Sequence, residues 1–428
     1  MTSFQHPRDE ILKLMQRIYR YRMTTTSGGN LSIREANGDI WITPARVDKG
    51  GLQREDIVLV RADGSAEGHR RPSSELPLHQ AIYRARPGVA GIVHAHPVAL
   101  VAFSLVRQAP NTRLFHQSWE VCGKGGFAPY ELPGSAALGR SVAGVFEQGF
   151  DCVILENHGV VTAGRDLREA FDRFETFEFT GKTIIKAHLL GGDVRYLTGD
   201  ELTMAKRRRP ELRAFGRQPP TSPEKDLRRR LCEFVQRAYQ QRLFISTQGT
   251  FSARLRENAF LITSRHIDRG TAAPESLSLI CDGAAERKAK PSRAANIHDA
   301  IYRAHPGVGA VINAYPVNAT AFSVAGRLPD TRTIPESYIV ARRPVLAPYG
   351  MQFEDPEGIA RMLSKDTPTV VLENDGVLVT GADPLEAFDR LEVIESTAEA
   401  LINSRAIGQL SPMSDSVIQE LETVFLGL

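Results

Sequence analysis

Apolar residues recur along the first half of the chain with two alternating spacings. Helix-period positions mark residues 9–21, 75–86 and 167–190. Short apolar runs that predict buried strands lie at residues 40–43, 57–60, 89–94 and 152–155. Because helices and strands alternate, the pattern predicts a mixed α/β fold in which helices cover a central sheet.

The same blocks of sequence occur a second time, about 219 positions later. The matched blocks include Gly29–Arg34 with Gly249–Arg254, Ala81–Val89 with Ala300–Val308, Leu155–Gly159 with Leu372–Gly376, and Glu169–Arg173 with Glu386–Arg390. An internal repeat of this kind predicts copies of one structural unit. We therefore expect one domain at residues 1–205 and a second at residues 224–428.

Residues 206–223 separate the two copies and are basic, rich in proline and poor in apolar residues. This composition predicts an interdomain linker. A nucleic-acid patch is the alternative interpretation of the basic run Lys206–Arg209. No aromatic residue interleaves that run, which favours the linker.

Bulk composition predicts a cytoplasmic globular protein. Of 428 residues, 42% are hydrophobic and 24% charged, and the net charge of +3 does not indicate a nucleic-acid or membrane partner. No apolar run approaches the roughly 18 residues that span a bilayer, and the first residues lack the apolar segment of a secretory signal. Four cysteines without CxxC spacing predict reduced thiols. Cys122 and Cys152 as ligands or nucleophiles are the alternative to inert, buried thiols.

Three histidines of the first copy have the spacing of metal ligands. His94 and His96 are two apart on a predicted strand, so both imidazoles face the same side of the sheet. His158 follows another predicted strand, at a turn. Three imidazoles with an open position are typical of a catalytic Zn²⁺ site. Paired histidines on a strand also occur as core or surface residues, which is the alternative.

The second copy replaces all three histidines together. At the corresponding positions it has Asn313, Tyr315 and Asp375, while the flanking blocks are retained. Core histidines have no reason to change as a set, whereas the ligands of a lost metal do. The comparison therefore favours a metal site in the first copy and a degenerate site in the second.

Glu75 changes with the histidines, since the segment Pro72–Glu75 (PSSE) becomes Pro291–Ala294 (PSRA). One interpretation is a helix N-cap, with a serine as the cap and Glu75 in the first turn. The other makes Glu75 a general acid–base near the metal, with the Ser73 and Ser74 hydroxyls free to bind an anion. The loss of Glu75 together with the histidines favours the second interpretation.

Two further features lie close to these segments. The turn Gly28–Asn30 can offer backbone amides to a phosphate or carboxylate, although a plain turn is equally compatible, and the second copy has Gln248–Thr250 instead. His79 is matched by His298 and is expected to be structural.

Together these motifs resemble the class II aldolase/adducin-head family, the group around fuculose-phosphate aldolase and ribulose-phosphate 4-epimerase. The resemblance extends over nearly all of residues 9–200 and, more weakly, over residues 224–405. The motifs that carry it are Gly28–Ser32, Ile42–Pro44, Ser73–Glu75, His94–His96 and Asn157–Gly159. It implies two tandem α/β/α three-layer domains, each with a central, largely antiparallel sheet.

The resemblance also implies the roles of individual residues. It implies Zn²⁺, or another divalent ion such as Mn²⁺, on His94, His96 and His158, with Glu75 as the proton shuttle. The anion-binding residues that it implies are Asn30, Thr43, Ser73 and Ser74, beside Gly29.

The chain departs from the family pattern at two places. Where family phosphate sites continue Thr-Pro-Thr-Gly, this chain has Thr43-Pro44-Ala45-Arg46. Arg46 can supply a charge-assisted contact to an anion instead, or it can be solvated. Where the aldolases use a tyrosine from a neighbouring subunit, this chain has Phe115-His116 nearby. His116 is therefore a candidate substitute for that proton donor.

We accordingly expect a metal-dependent aldehyde-lyase that cleaves a sugar phosphate or related hydroxy-keto acid in a retro-aldol reaction, through a metal-bound enediolate. A decarboxylase, dehydratase or epimerase of the same family is the alternative. A non-catalytic, adducin-like binding or assembly protein is the alternative from another class. The expected partners are a small-molecule substrate and copies of the chain, in a homo-oligomer with a pseudo-fourfold arrangement. The degenerate copy would supply one wall of the active cleft, or stability.

Overall fold

The chain folds into two compact units. The computed structural model describes residues 5–207, 212–216, 219–287 and 290–427. The first unit comprises Met1–Thr112 and Gln117–Lys182, and the second comprises Arg113–His116 and Thr183–Leu428. The second unit thus begins before the boundary at residue 205 that the sequence suggests.

The first helix shows how the sequence builds these elements. Proline lies in its first turn, where a missing backbone N–H costs no helical hydrogen bond. Acidic side chains in the first turn and basic ones in the last favour the helix dipole. The apolar stripe that it buries consists of Ile11, Leu14, Met15 and Ile18. This stripe packs in one core with residues of the first sheet.

The first unit contains eight strands and the helices around them. The strands are β1 Asn30–Arg34, β2 Ile40–Ile42, β3 Val58–Val60, β4 Ala66–Glu67, β5 Gly91–Ala95, β6 Gly125–Ala128, β7 Cys152–Leu155 and β8 Gly159–Gly164. The helices are α1 Pro7–Arg20, α2 Leu76–Ala85, α3 Val98–Leu105, α4 His116–Cys122, α5 Ala136–Glu147 and α6 Leu167–Leu189. The unit boundaries fall within α4 and α6.

Helices cover both faces of the first sheet, whose strand order is β4-β3-β2-β1-β5-β8-β7-β6. Only β6 and β7 pair in parallel; the other neighbours are antiparallel. Ile92 of β5 packs in a core with residues of α2 and α5. The next residue, Val93, packs in another core with residues of α1 and α6. Because side chains alternate along a strand, these two cores lie on opposite faces, and the layers are α/β/α.

The second unit repeats this design. Its strands are β9 Ala214–Phe215, β10 Thr250–Arg256, β11 Ala259–Thr263, β12 Leu277–Cys281, β13 Ala284–Glu286, β14 Ala310–Ala314, β15 Val345–Ala347, β16 Thr369–Leu372 and β17 Gly376–Gly381. Its helices are α7 Gly199–Lys206, α8 Ser222–Gln240, α9 Ala295–Ala304, α10 Val317–Val324, α11 Pro335–Val340, α12 Met351–Glu354, α13 Pro356–Met362, α14 Pro384–Ser404 and α15 Asp415–Leu421. The strand order is β15-β16-β17-β14-β10-β11-β12-β13-β9. It matches the first sheet strand for strand, with β9 added at the edge.

The predicted fold class, two tandem α/β domains with largely antiparallel sheets, is confirmed. The predicted helices correspond to α1, α2 and α6, and the predicted strands to β2, β3, β5 and β7. Of the proposed linker, residues 208–211, 217 and 218 lie outside the described residues, while Ala214–Phe215 pairs in parallel with β13. Among the described residues, none of the helices combines the length and apolar character needed to traverse a bilayer.

Candidate metal centre

His94 lies near the end of the central strand β5, and its side chain is fully buried. It shares a face of the sheet with Ile92, because side chains alternate along a strand. Its Nδ1 donates to the carbonyl oxygen of Val160 in the neighbouring strand β8, 2.9 Å away. Because Nδ1 carries the proton of this bond, Nε2 is the nitrogen of His94 that can bind a metal.

His96 follows β5 directly and brings a second imidazole nitrogen to the same place. Its Nε2 lies 3.1 Å from Nε2 of His94. Two glycines leave room for its ring. A Cβ on Gly28 would lie 2.9 Å from His96 Nδ1, and a Cβ on Gly159 would lie 2.6 Å from His96 Cδ2. Both positions therefore require glycine if this ligand is to keep its place.

His158 reaches the site from the tight turn between β7 and β8. Asn157 adopts a left-handed backbone with φ 52°, which asparagine tolerates better than most residues. The His158 N–H donates to the carbonyl of Leu155 at 3.1 Å. The ring centroid of His158 lies 4.8 Å from that of His94 and 5.0 Å from that of His96. The turn thus completes a triangle of imidazoles, as the sequence predicts.

The three imidazoles fit a divalent transition-metal ion. One nitrogen of each lies within 4.8 Å of the other two. Burial, together with the neighbouring histidines, lowers the pKa of His96 to about 3 and that of His158 to about 4, so both rings are neutral at neutral pH. Nitrogen lone pairs as close as those of His94 and His96 repel each other unless a cation or a proton lies between them. Neutral imidazoles suit Zn²⁺ and other transition metals, and three of them leave a position open.

Glu75 faces these histidines from the beginning of α2. It is the N-cap residue, yet its side chain caps no backbone N–H. Its Oε2 lies 3.1 Å from His94 Nε2, and its Oε1 lies 3.4 Å from His158 Nε2. Burial opposes ionisation of this carboxyl. Protonation of His94, which then donates from Nε2 to Glu75, lowers the pKa of Glu75 well below the ordinary value, with smaller contributions from His158 and Asn30. The side chain is thus a carboxylate placed beside the metal ligands.

Asn30 links this carboxylate to a buried hydrogen-bond chain. Its Nδ2 donates to Glu75 Oε2 at 2.7 Å, and its Oδ1 accepts from His79 Nε2 at 2.5 Å. Burial lowers the pKa of His79 to about 3, so the ring is neutral. His79, which the sequence suggests to be structural, therefore also reaches the site.

Two residues of the expected anion pocket have defined local roles. Gly29 has φ +73°, and a Cβ there would lie 2.8 Å from the carbonyl oxygen of His94, so only glycine fits. The Thr43 hydroxyl accepts from the N–H of Leu31 at 3.2 Å. Thr263 makes the matching bond in the second unit. Thr43 thus belongs to the framework that both copies share.

The remaining anion-pocket candidates differ in exposure. The Ser73 hydroxyl is buried and accepts from the N–H of Glu75 at 3.2 Å. This bond fixes the turn before α2, but the N-cap residue is Glu75 and not a serine. Ser74 is exposed, and so is Arg46, whose backbone is left-handed with φ 53°. Both side chains are accessible to an anion in solution.

Two threonines near the site belong to none of the sequence motifs. A Cβ on Gly28 would lie 2.8 Å from Thr25 Oγ1 and 3.1 Å from Thr24 Oγ1. The Thr24 hydroxyl is buried and has no hydrogen-bond partner among the described residues. The second copy has Phe244 and Ile245 at these positions. Comparing the copies there would have revealed two hydroxyls that are lost with the metal ligands.

In the second unit, hydrogen bonds join the residues that replace the ligands. Tyr315 OH donates to Asp375 Oδ1 at 2.9 Å, and Gln352 Nε2 donates to Asp375 Oδ2 at 3.2 Å. Asn313 Oδ1 accepts from His298 Nε2 at 2.7 Å. Among the residues that the structure describes, the histidine triad of the first unit is the one cluster with metal-ligand geometry.

His116 belongs to the second unit. Its Nδ1 lies 3.8 Å from Asp375 Oδ1, and its ring meets Phe353 edge-on at 5.1 Å. The structure therefore groups it with the degenerate cluster and not with Glu75. A role for His116 as proton donor stays a prediction.

The family model described as Class II Aldolase and Adducin N-terminal domain matches residues 9–185 and 229–402. The chain belongs to this family. The two matches coincide with the two sequence copies, so this member of the class II aldolase and adducin family carries the domain twice. Class II aldolases are metal-dependent, and the triad can hold the metal.

Relatives within the family include lyases of two kinds. The chain is 32% identical over 207 residues to 3-oxo-tetronate 4-phosphate decarboxylase of Pectobacterium atrosepticum, covering 47% of this chain and 93% of that protein. It is 36% identical over 169 residues to L-fuculose phosphate aldolase of Methanococcus maripaludis, covering 39% and 89%. A solved structure of L-fuculose 1-phosphate aldolase is 28% identical with a TM-score of 0.43, covering 47% and 95%. The family and the names of the two relatives from Pectobacterium and Methanococcus support a lyase-type enzyme.

Proposed function

We propose that the first unit is a metal-dependent lyase that breaks a carbon–carbon bond beside a carbonyl in a sugar phosphate or related hydroxy-keto acid. The observation that carries the proposal is the Glu75 carboxylate, which lies 3.1 Å from Nε2 of His94 and 3.4 Å from Nε2 of His158. A proton-transfer group next to a Lewis-acid site is what this chemistry requires. The relatives named as L-fuculose phosphate aldolases support the same reaction class.

The ion would be held by His94, His96 and His158. When bound, it supplies a Lewis acid for the carbonyl and hydroxyl oxygens of the substrate. Glu75 accepts the proton of the substrate hydroxyl as the carbon–carbon bond breaks and the aldehyde leaves. The same carboxyl then returns the proton to the carbon that keeps the bonding electron pair. Because one group takes and gives the proton, the cycle leaves Glu75 ionised.

The anionic end of the substrate would bind beside this centre. The residues that we propose for it are Gly29, Asn30, Ser73 and Ser74, with the framework residue Thr43 behind them. Arg46 is exposed on the loop after Thr43 and carries a fixed positive charge. It can form a charge-assisted hydrogen bond with a phosphate or carboxylate.

Decarboxylation is the second candidate, because one relative is named 3-oxo-tetronate 4-phosphate decarboxylase. The two reactions share their logic. Loss of CO₂ also leaves an electron pair on a carbon next to a carbonyl, and a proton must reach that carbon. Glu75 is again the group placed to deliver it, after it has taken a proton from a water molecule.

A turnover assay separates the two reactions. The full chain is loaded with Zn²⁺ or Mn²⁺ and incubated with L-fuculose 1-phosphate or with 3-oxo-tetronate 4-phosphate. Aldehyde release supports the aldolase, and CO₂ release supports the decarboxylase. A metal-loaded chain that converts neither these nor a panel of sugar phosphates and acids would contradict the proposed function.

We further propose that residues 1–205 form the working domain and residues 224–428 its degenerate duplicate. Two such domains per chain fit a cytoplasmic homo-oligomer in which two chains build a pseudo-fourfold arrangement. The matching strand orders of the two sheets support this assembly, because near-identical folds can occupy equivalent positions in a ring.

A further inference from the structure

The hydrogen bonds behind Asn30 form one buried chain. Tyr83 OH lies 2.7 Å from Ser32 Oγ. Ser32 Oγ lies 2.6 Å from His79 Nδ1, and His79 Nε2 lies 2.5 Å from Asn30 Oδ1. None of the four side chains is more than 3% exposed. The chain ends at Glu75, whose Oε2 accepts from Asn30 Nδ2 at 2.7 Å.

With His79 neutral and Glu75 ionised, only one arrangement of protons satisfies every member. A carboxylate only accepts, so the Asn30 amide must turn its nitrogen toward it and its oxygen toward His79. His79 Nε2 must then carry the proton, and its Nδ1 must accept. The Ser32 hydroxyl donates to that Nδ1 and accepts from Tyr83. Every donor in the chain therefore points toward the carboxylate.

The second unit keeps the first part of this hydrogen-bond chain, but its last hydrogen bond goes to a different residue. Ser252 lies 2.7 Å from Tyr302 OH and 2.6 Å from His298 Nδ1, as in the first unit. There the histidine Nε2 reaches Oδ1 of Asn313, at the position of His94. A tyrosine–serine–histidine framework is thus common to both copies, but its histidine is hydrogen-bonded to Asn30 in the first unit and to Asn313 in the second.

The positions of Asn30 and Glu75 change together in that unit. Thr250 replaces the asparagine, and its hydroxyl lies 2.6 Å from Ser292 Oγ. Ala294 replaces the glutamate. Where no carboxylate needs orienting, the residue that connects it to the histidine is also absent.

We propose that His79 is a positioning residue for Glu75. Its Nε2–H holds the Asn30 amide with the nitrogen toward the carboxylate, and Asn30 in turn holds the carboxylate beside His94 and His158. Without that N–H, the amide can rotate and present its oxygen to Glu75, where two acceptors repel each other. This inference rests on the proposed function, because it matters for catalysis only if Glu75 transfers protons.

The test compares matched variants of the full chain. His79→Leu removes both ring nitrogens. His298→Leu removes the corresponding buried histidine in the second unit, which lacks the glutamate. His79→Gln returns an N–H donor near the position of Nε2. For each variant, kcat and KM are measured on whichever of L-fuculose 1-phosphate and 3-oxo-tetronate 4-phosphate the wild type converts. Bound Zn²⁺ and melting temperature are measured on the same samples.

We expect His79→Leu to lower kcat about 10–100-fold, the range typical of outer hydrogen-bond partners in metal sites, with Zn²⁺ content retained. His298→Leu should lower the melting temperature similarly and change kcat less than about twofold. His79→Gln should recover most of the lost kcat. Equal kcat in folded His79→Leu and His298→Leu would overturn the proposal, because His79 would then be structural only. If His79→Leu does not fold, Ser32→Ala and Ser252→Ala carry the same comparison.

Crystal structures separate this inference from the proposed function. Even if the wild type converts no substrate, the Asn30 Nδ2 to Glu75 Oε2 contact can be measured in wild type and in His79→Leu. A lost contact or a rotated amide supports positioning by His79. An unchanged contact in the variant overturns it.

Discussion

At the scale of single residues, the site depends on which hydrogen bonds are already made. Nδ1 of His94 donates to the carbonyl oxygen of Val160, so Nε2 is the atom that can bind a metal. The Thr43 hydroxyl serves the backbone, whereas that of Thr24 has no partner among the described residues. Glu75 is held in place without capping its helix. These differences lead to two predictions for single substitutions.

The first concerns proton transfer by Glu75. Glu75→Gln keeps the size of the side chain but removes the charge and the ability to accept a proton. Turnover should fall by about 10²–10⁴-fold, the usual contribution of a general acid–base, while the bound metal is retained. Steady-state kinetics and metal analysis on one preparation check this. Glu169→Gln alters the ion pairs of Glu169 with Arg165 and Arg173 and should leave turnover unchanged. Wild-type turnover in Glu75→Gln would contradict the role.

The second concerns two buried threonines. Thr43→Val should lower the free energy of unfolding by about 1–3 kcal/mol, because the N–H of Leu31 loses its acceptor. Thr24→Val should raise it by about 1 kcal/mol, because a buried hydroxyl without a partner is replaced by a methyl group. Urea unfolding of both variants beside the wild type measures the difference. A loss of stability in Thr24→Val as large as that in Thr43→Val would show that its hydroxyl is satisfied.

At the scale of elements, the turn between β7 and β8 both connects two paired strands and carries a candidate metal ligand. Leu155 pairs with Gly159 across this turn, and His158 projects from it. A Cβ on Gly159 would lie 2.6 Å from both the carbonyl oxygen of Ala95 and the ring of His96. One position thus constrains the turn and a ligand from β5.

Gly159→Ala should therefore weaken both stability and metal binding. Overpacking against the Ala95 carbonyl is expected to cost about 1–3 kcal/mol, and displacement of His96 should lower the affinity for Zn²⁺. Urea unfolding and Zn²⁺ titration of the metal-free protein measure the two effects. Gly144→Ala in α5 is the matched control, since its Cβ would meet open space and alanine should gain about 0.5–1 kcal/mol there. Equal behaviour of the two variants would refute this account of Gly159.

The elements of the site were predictable to different degrees. β7 matches its predicted bounds, residues 152–155, because a continuous apolar run and a following turn mark a strand in any context. The histidine cluster was predictable because His94 and His96 are two residues apart at the end of a strand and the second copy lacks all three histidines. The bond between His79 and Asn30 joins residues 49 positions apart. No local pattern reveals such a contact, because it depends on the pairing of β1 with β5 and the packing of α2.

His116 shows another limit of prediction from sequence. Its contacts with Asp375 and Phe353 of the second unit were not predictable from its position in the sequence, and its role as proton donor stays a prediction. The short segment Arg113–His116 leaves the unit to which its neighbours in sequence belong. Which fold a short segment joins is decided by long-range packing, which apolar periodicity does not encode.

At the scale of the whole molecule, the duplication separates framework from chemistry. Both units keep the strand order and the buried tyrosine–serine–histidine framework. Only the first keeps the three imidazoles and the carboxylate. We therefore propose that the second unit serves assembly and not metal chemistry.

Assembly predicts the mass of the protein in solution. Two chains in a pseudo-fourfold arrangement should give about 94 kDa, twice the 47.2 kDa of the chain. Light scattering coupled to size exclusion measures this directly. A monomer at micromolar concentration, or an odd number of chains, would contradict the arrangement.

The central claim is that one copy of the domain binds a metal and the other does not. Elemental analysis of the purified full chain, after equilibration with Zn²⁺ and removal of free ion, tests this most directly. We predict one divalent ion per chain, lost in His94→Ala and retained in the matched variant Asn313→Ala. A chain that binds none, or that binds two, would contradict the claim, as would retention of the ion in His94→Ala.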